Sequence, residues 1–150
     1  MLVKMGGGAG GTPDDSQNPF INGDITFSAP WQVGYEVYDG VLYAEAIIVK
    51  SGTLTATKQY LIDLWMIGGG GGDAVANSFN YNTQDGRGGG GSGHTTLALA
   101  VTLTVGTHAI TIGAAGANKT VRCGQTSAGT YSGTAGGTTT CLLYTSPSPR

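Results

Sequence analysis

Leu97, Leu99, Val101, Leu103 and Val105 alternate with Ala98, Ala100, Thr102 and Thr104. A period of two sustained this long places one set of side chains on a buried face and the other in water, as a strand does and a helix cannot. Gly106-Thr107 then precedes a second apolar run through Ile110 and Ile112, and a two-residue link with glycine first has the composition of a type II′ turn. The pattern predicts an antiparallel hairpin over residues 93–113. In that register Val105 falls opposite His108, Leu103 opposite Ile110 and Val101 opposite Ile112, so the apolar faces of both arms coincide.

Other segments point the same way. Tyr38-Asp39-Gly40-Val41 centres on Asp-Gly, the pair favoured where both turn residues need positive φ, and predicts a second hairpin whose later arm runs through Ile47 to Lys50. Residues 53–57 alternate hydroxyls with apolar side chains, as suits a strand with one wet face. Residues 60–67 are apolar throughout except for Asp63, which predicts a central strand covered on both sides. Asp63 is expected to be hydrogen-bonded, capping loop amides or facing a polar groove, because the second carboxylate of a catalytic pair is missing. The fold class is all-β: an antiparallel sandwich or jelly-roll-like arrangement with glycine-rich loops, truncated at its C-terminal end.

Glycine supplies 28 of the 150 residues and no side chain to a core, so cohesion is assigned to the strands, and the runs at 68–72 and 88–91 are expected to let the backbone bend between them. No strict Gly-X-Y period is present, which excludes collagen. Three segments are expected. Residues 1–28 hold Gly6-Gly7-Gly8-Ala9-Gly10-Gly11 and a polar Pro-Asp-Asp-Ser stretch and read as a flexible extension; residues 29–140 read as the β domain. Residues 141–150, Cys-Leu-Leu-Tyr-Thr-Ser-Pro-Ser-Pro-Arg, resemble the translation of a transposon-based sequencing adapter and are set aside as a non-native tail, which leaves Cys123 as the one native cysteine and the domain continuing past Thr140.

Several function classes are excluded by what the chain lacks. Seven Lys and Arg stand against nine Asp and Glu, and the basic residues never gather into a strip that tracks phosphates, so no nucleic-acid partner is expected. No apolar run approaches the ~18 residues that cross a bilayer, and the N-terminus lacks a secretion signal. Gly86-Arg87-Gly88-Gly89-Gly90-Gly91 matches a dinucleotide fingerprint letter by letter but is followed by a strand rather than the required helix. Residues 113–120 miss the phosphate-loop pattern at Asn118. His94 and His108 have no Cys, Asp or Glu at ligand spacing. No catalytic, metal or cofactor set emerges, and the chain is not expected to be an enzyme.

The two glycine runs bracket residues 73–87, an insertion rich in amides and aromatics. Loops held on a rigid scaffold are where recognition concentrates, so Asn77, Phe79, Asn80, Tyr81 and Asn82 are the candidate receptor-binding residues.

Taken together, Leu64-Trp65-Met66-Ile67 running into Gly68–Gly72, the second run from Gly88 to Gly93, and the stretch Thr102–Gly116 resemble the glycine-rich domain of bacteriophage tail-fibre and tail-tip proteins, with related domains on some bacterial surface proteins. The resemblance covers about residues 51–137. Val105 stands where the family often has proline, and residues 118–122 interrupt the glycine-rich run, which argues against a long glycine-helix bundle at that end. The resemblance implies a virion tail component without catalysis: a homo-oligomer, a trimer among the forms it allows, in contact with other tail proteins and with a host surface glycan. A bacterial surface adhesion module and a fragment of a carbohydrate-active enzyme are the alternatives. The predicted ribbon at residues 97–112 is what ties the appendage reading to the fold.

Overall fold

The computed structural model describes residues 1–9, 13–77, 87–88, 90–118, 129–131, 133–142 and 144–146. Among these residues the chain forms strands and no α-helix.

The Asp-Gly hairpin forms as its turn chemistry dictates. Strands β3 (Gln32–Tyr38) and β4 (Val41–Ile47) pair with Tyr38 opposite Val41, and Asp39 and Gly40 take φ of 49° and 73°, the left-handed pair that a type I′ turn needs. The second arm ends at Ile47, short of Lys50. This hairpin is one side of a five-stranded antiparallel sheet, in the order β3-β4-β1-β6-β9, with β1 spanning Leu2–Ala9, β6 Tyr60–Ile67 and β9 Thr95–Leu103. A second five-stranded sheet has the order β13-β12-β10-β5-β2. Its strands are β2 (Ile25–Phe27), β5 (Gly52–Ala56), β10 (Gly106–Thr111), β12 (Thr139–Cys141) and β13 (Tyr144–Ser146). Val3, Ile62, Leu64, Met66 and Leu103 of the first sheet join Ile25, Leu54, Ile110 and Cys141 of the second in one buried cluster. That double-sheet, single-core arrangement is the all-β sandwich class the alternation predicts.

Four expectations are corrected. The stretch 97–112 is not a ribbon: β9 pairs with β6 in one sheet, and β10 pairs with β5 and β12 in the other. Gly106, at φ 124°, turns the chain from sheet to sheet. Alternation cannot separate the two outcomes, because Leu103 and Ile110 are buried in either, side by side in a hairpin or across the core in an arch. The described residues of segment 1–28 are not a loose extension. Val3 and Met5 alternate with Leu2 and Lys4, and that short period is enough to seat β1 between β4 and β6, Val3 being fully buried. Phe20 and Ile25 also enter the core, Phe20 edge-on to Trp31 with ring centroids 5.6 Å apart. Strand β6 is covered on one side only: Ile62, Leu64 and Met66 face the core, whereas Leu61 and Ile67 stay 62% and 55% exposed. Of residues 141–150, the described ones (141, 142 and 144–146) are not outside the fold, since Cys141 is buried opposite Ile110 and β13 pairs with β12. Cys123 lies outside the described residues.

Candidate functional site

The glycine runs do more than bend. From residue 68 to 72 the backbone reaches three neighbours in rotation: Gly68 and Gly71 donate to the carbonyls of His94 and Gly91, Gly69 and Gly72 donate to those of Gly137 and Thr134, and the carbonyl of Gly70 accepts from Gly116. A strand of period two has neighbours on two sides only. Partners that recur every third residue require three residues per turn, the geometry of the polyproline II helix, whose backbone groups all point outward. Residues 68–72, 90–94, 113–118 and 133–137 thus form a bundle of extended threefold helices joined by backbone hydrogen bonds.

Such close approach leaves no room for a side chain at the contact. A Cβ on Gly69 would overlap the carbonyl of Ala114, and one on Gly72 that of Ala117. The same spacing of three recurs as Gly90 and Gly93, Gly113 and Gly116, and Gly133 and Gly136, each against a neighbouring carbonyl. At Gly71, between two such positions, the nearest atom to a Cβ lies 3.5 Å away. The expectation that glycine merely bends the chain is corrected, because glycine at every third position lets the helices touch; the expectation that residues 118–122 argue against a long bundle falls, beyond Asn118, outside the described residues.

One end of this bundle adjoins the sheets, where Thr139 donates its hydroxyl to the Ile67 carbonyl at 2.7 Å and accepts from the Gly113 amide at 2.9 Å. The other end carries both long insertions. Asp73 ties their bases together: its carboxylate accepts from the Gly90 amide at 2.8 Å, closing the insertion 74–89, and its own amide donates to the carboxamide oxygen of Asn118 at 3.0 Å, where the insertion 119–132 begins. Thr134 closes the second insertion, its amide donating to the Ala117 carbonyl and its hydroxyl accepting from the Ala117 amide. Beyond this lock a small sheet pairs β7 (Ala74–Asn77) with β8 (Arg87–Gly88) on one side and β11 (Gly129–Tyr131) on the other. The described parts of the two insertions therefore form one unit, with Gly129 opposite Asn77.

Of the predicted receptor residues, Asn77 ends β7 on this unit. Phe79, Asn80, Tyr81 and Asn82 lie outside the described residues. Asp73 and Asn118 escaped the sequence reading; the available signal was an Asp and an Asn flanking glycine runs, residues whose short side chains satisfy backbone amides. The remaining candidates sit apart from this end. Asp63 is hydrogen-bonded as expected, but to an amide within a strand and not in a loop: it accepts from Ala100 of β9 at 2.8 Å. The Nε2 of His108 donates to the Thr104 carbonyl at 2.8 Å beside the sheet-to-sheet turn. Among the described residues no three His, Cys, Asp or Glu side chains gather as a metal site would require.

Neither the curated proteins nor the solved structures contain a match to this chain. The family model described as "Glycine-rich domain" matches residues 48–148, about two thirds of the chain, a span that takes in all four glycine segments and both insertions. The chain belongs to the glycine-rich domain family.

Proposed function

We propose that the chain is a structural module of a phage tail fibre or tail tip, located on the virion, in which the glycine bundle is a stiff stalk and the insertions at its far end meet a host surface glycan. The observation that carries this reading is the lock at Asp73. Two insertions, separate in sequence, leave one end of a rigid support and are paired beyond it. Variable loops on a fixed scaffold can change their ligand without changing the fold that holds them. In this reading the module has no catalytic role, assembles with further copies and with other tail proteins, and uses Phe79, Tyr81 and the asparagines Asn77, Asn80 and Asn82 as its contact set, aromatic faces for sugar rings and amides for hydroxyls.

Binding of the purified chain to a glycan array and to intact bacterial cells tests this. Phe79→Ala and Tyr81→Ala are expected to lower binding at least tenfold while the thermal unfolding curve stays that of the parent. Equal binding by both variants defeats the loop assignment, and release of free sugar from a bound glycan would move the chain to the enzyme class. Reading frames for tail structural proteins beside the gene are the expected genomic setting.

A further inference from the structure

The outer face of the first sheet carries an apolar row among its polar and charged side chains. Ile47, Leu2, Trp65 and Leu97 follow one another across four strands in register, making a continuous row. Leu61 and Leu99, each 62% exposed, stand beside it on the same face. Around Leu2 and Trp65 the row sinks into a groove of about 390 Å³ that Lys4 and Glu45 also line. Single exposed apolar residues need no explanation, but a contiguous patch on this scale marks an interaction site.

We infer that this face packs on the same face of a second copy of the chain, related by a twofold axis. Three observations favour that occupant. A twisted sheet is best complemented by another sheet of the same twist, packed face to face about 10 Å apart, which is how the inner face of this sheet is already covered. The face carries both an apolar hollow and an apolar ridge, as a self-complementary contact needs, so that Leu61 and Leu99 of each copy enter the groove of the other. Five strands about 4.8 Å apart and seven to nine residues long give a face of roughly 600 Å² before side-chain relief, the lower end of the ~600–1,000 Å² of accessible surface each partner buries in a stable pair.

The charges on this face set how the contact responds to salt. Lys4 is ion-paired with Glu36 and lies over the Trp65 ring, 5.5 Å from its centroid. Glu45 and Asp63 add negative charge on the same side. Two copies therefore meet with an acidic surplus on both sides, and apolar burial has to outweigh it. Salt screens that surplus and strengthens the pair, whereas a cationic partner would be held more weakly as salt rises. The twofold contact gives a face and a symmetry to the assembly with further copies that the appendage reading includes, and it stands whether or not any glycan binds.

Sedimentation velocity on the whole chain, over a series of protein and sodium chloride concentrations, is the test. The expected result is a monomer–dimer equilibrium that tightens with salt, weakened at least tenfold in the Leu61→Lys, Leu99→Lys double variant at an unchanged unfolding temperature. If that variant folds poorly, the parent chain in a Trp31→Phe background gives a second readout: acrylamide quenching of Trp65 should fall as protein concentration rises. A chain that stays monomeric throughout, a dimer that dissociates with salt, or an oligomer indifferent to the two lysines each overturns the proposal.

Discussion

Ala100 donates its amide hydrogen to the Asp63 carboxylate at 2.8 Å, at the point where β6 and β9 fall out of step. Ile62 faces Val101 and Leu64 faces Ala98, so Leu99 and Ala100 together oppose Asp63. The extra residue makes a β-bulge, and Ala100 takes a left-handed φ of 52° to accommodate it. An L-residue held there costs about 1–2 kcal/mol, which the carboxylate cap and the surrounding ladder offset.

Ala100→Gly should therefore stabilise the fold by about 1 kcal/mol, the relief of the left-handed strain being partly cancelled by the entropy of glycine in the unfolded chain. Asp63→Ala should destabilise it by about 1 kcal/mol, and Asp63→Asn, which keeps an acceptor oxygen, by less. Urea unfolding of the three variants measures both. Equal midpoints for Asp63→Ala and the parent would show that the carboxylate does not hold the bulge.

The glycine bundle makes a sharper prediction, because neighbouring glycines in one run are not equivalent. Gly69→Ala places a methyl group into the Ala114 carbonyl, a backbone atom that no rotamer change can move, and should cost about 3 kcal/mol or more. Gly71→Ala meets nothing closer than 3.5 Å and should cost less than about 1 kcal/mol. Thermal unfolding of the pair decides the matter: similar losses at the two positions would mean that the threefold packing of residues 68–72 is not what glycine serves there.

That contrast also locates the limit of what is legible in the chain. Turn chemistry was enough for the Asp39-Gly40 hairpin, because Asp-Gly satisfies a demand of the backbone that does not depend on the rest of the molecule. Alternation was enough to say that Leu103 and Ile110 are buried but not against what, since a hairpin and an arch bury the same residues, and it missed the bulge opposite Asp63, which turns Leu97 and Leu99 away from the face of Val101 and leaves them 46% and 62% exposed. The ribbon therefore lends nothing to the appendage reading, which is a proposal carried by the loop-bearing end of the bundle alone, since the family match shows a glycine-rich domain and no appendage. Glycine at 69 and 72, 90 and 93, 113 and 116, and 133 and 136 was visible as a spacing of three, but every segment holds two such glycines only, and the extra glycines around them mask the period. Strand β1 was hidden for a related reason: Leu2 to Met5 is too short to show a period by itself, and its burial depends on β4 and β6 arriving on both sides.

Cys141 offers a chemical check on the end of the chain. Burial pushes its thiol up from near 9 to about 11. With Cys123→Ser removing the other thiol, a thiol reagent at pH 8 should find roughly 100-fold less thiolate in the folded chain than in urea. The sign for stability follows: a raised pKa favours folding below the ordinary thiol range, and that contribution is lost as pH rises through about 11. Labelling as fast in buffer as in urea would place residues beyond Thr140 outside the second sheet.

Asp24 should govern the acid limit of the fold. Its carboxylate accepts from the Tyr60 hydroxyl at 2.7 Å, Lys58 at 2.9 Å and the Thr57 hydroxyl at 3.1 Å, tying the turn before β2 to the β5–β6 turn. The Tyr60 hydrogen bond, followed by that from Lys58, holds Asp24 down from 3.8 to about 2. A depressed carboxylate stabilises the fold above its unfolded pKa, so this contribution is present above pH 3.8 and is lost as pH falls through about 2. Tyr60 moves the opposite way, up to about 12, through burial first and the Asp24 hydrogen bond second. Its contribution is present below the ordinary phenol range and is lost as pH rises through about 12. Asp24→Asn should flatten the acid limb of the stability profile between pH 3.8 and about 2. It should also bring the Tyr60 pKa partway back toward 10 in a tyrosinate absorbance titration, with burial keeping it above that value. A variant that leaves both the acid limb and the Tyr60 titration unchanged would remove Asp24 from its place at the centre of this cluster.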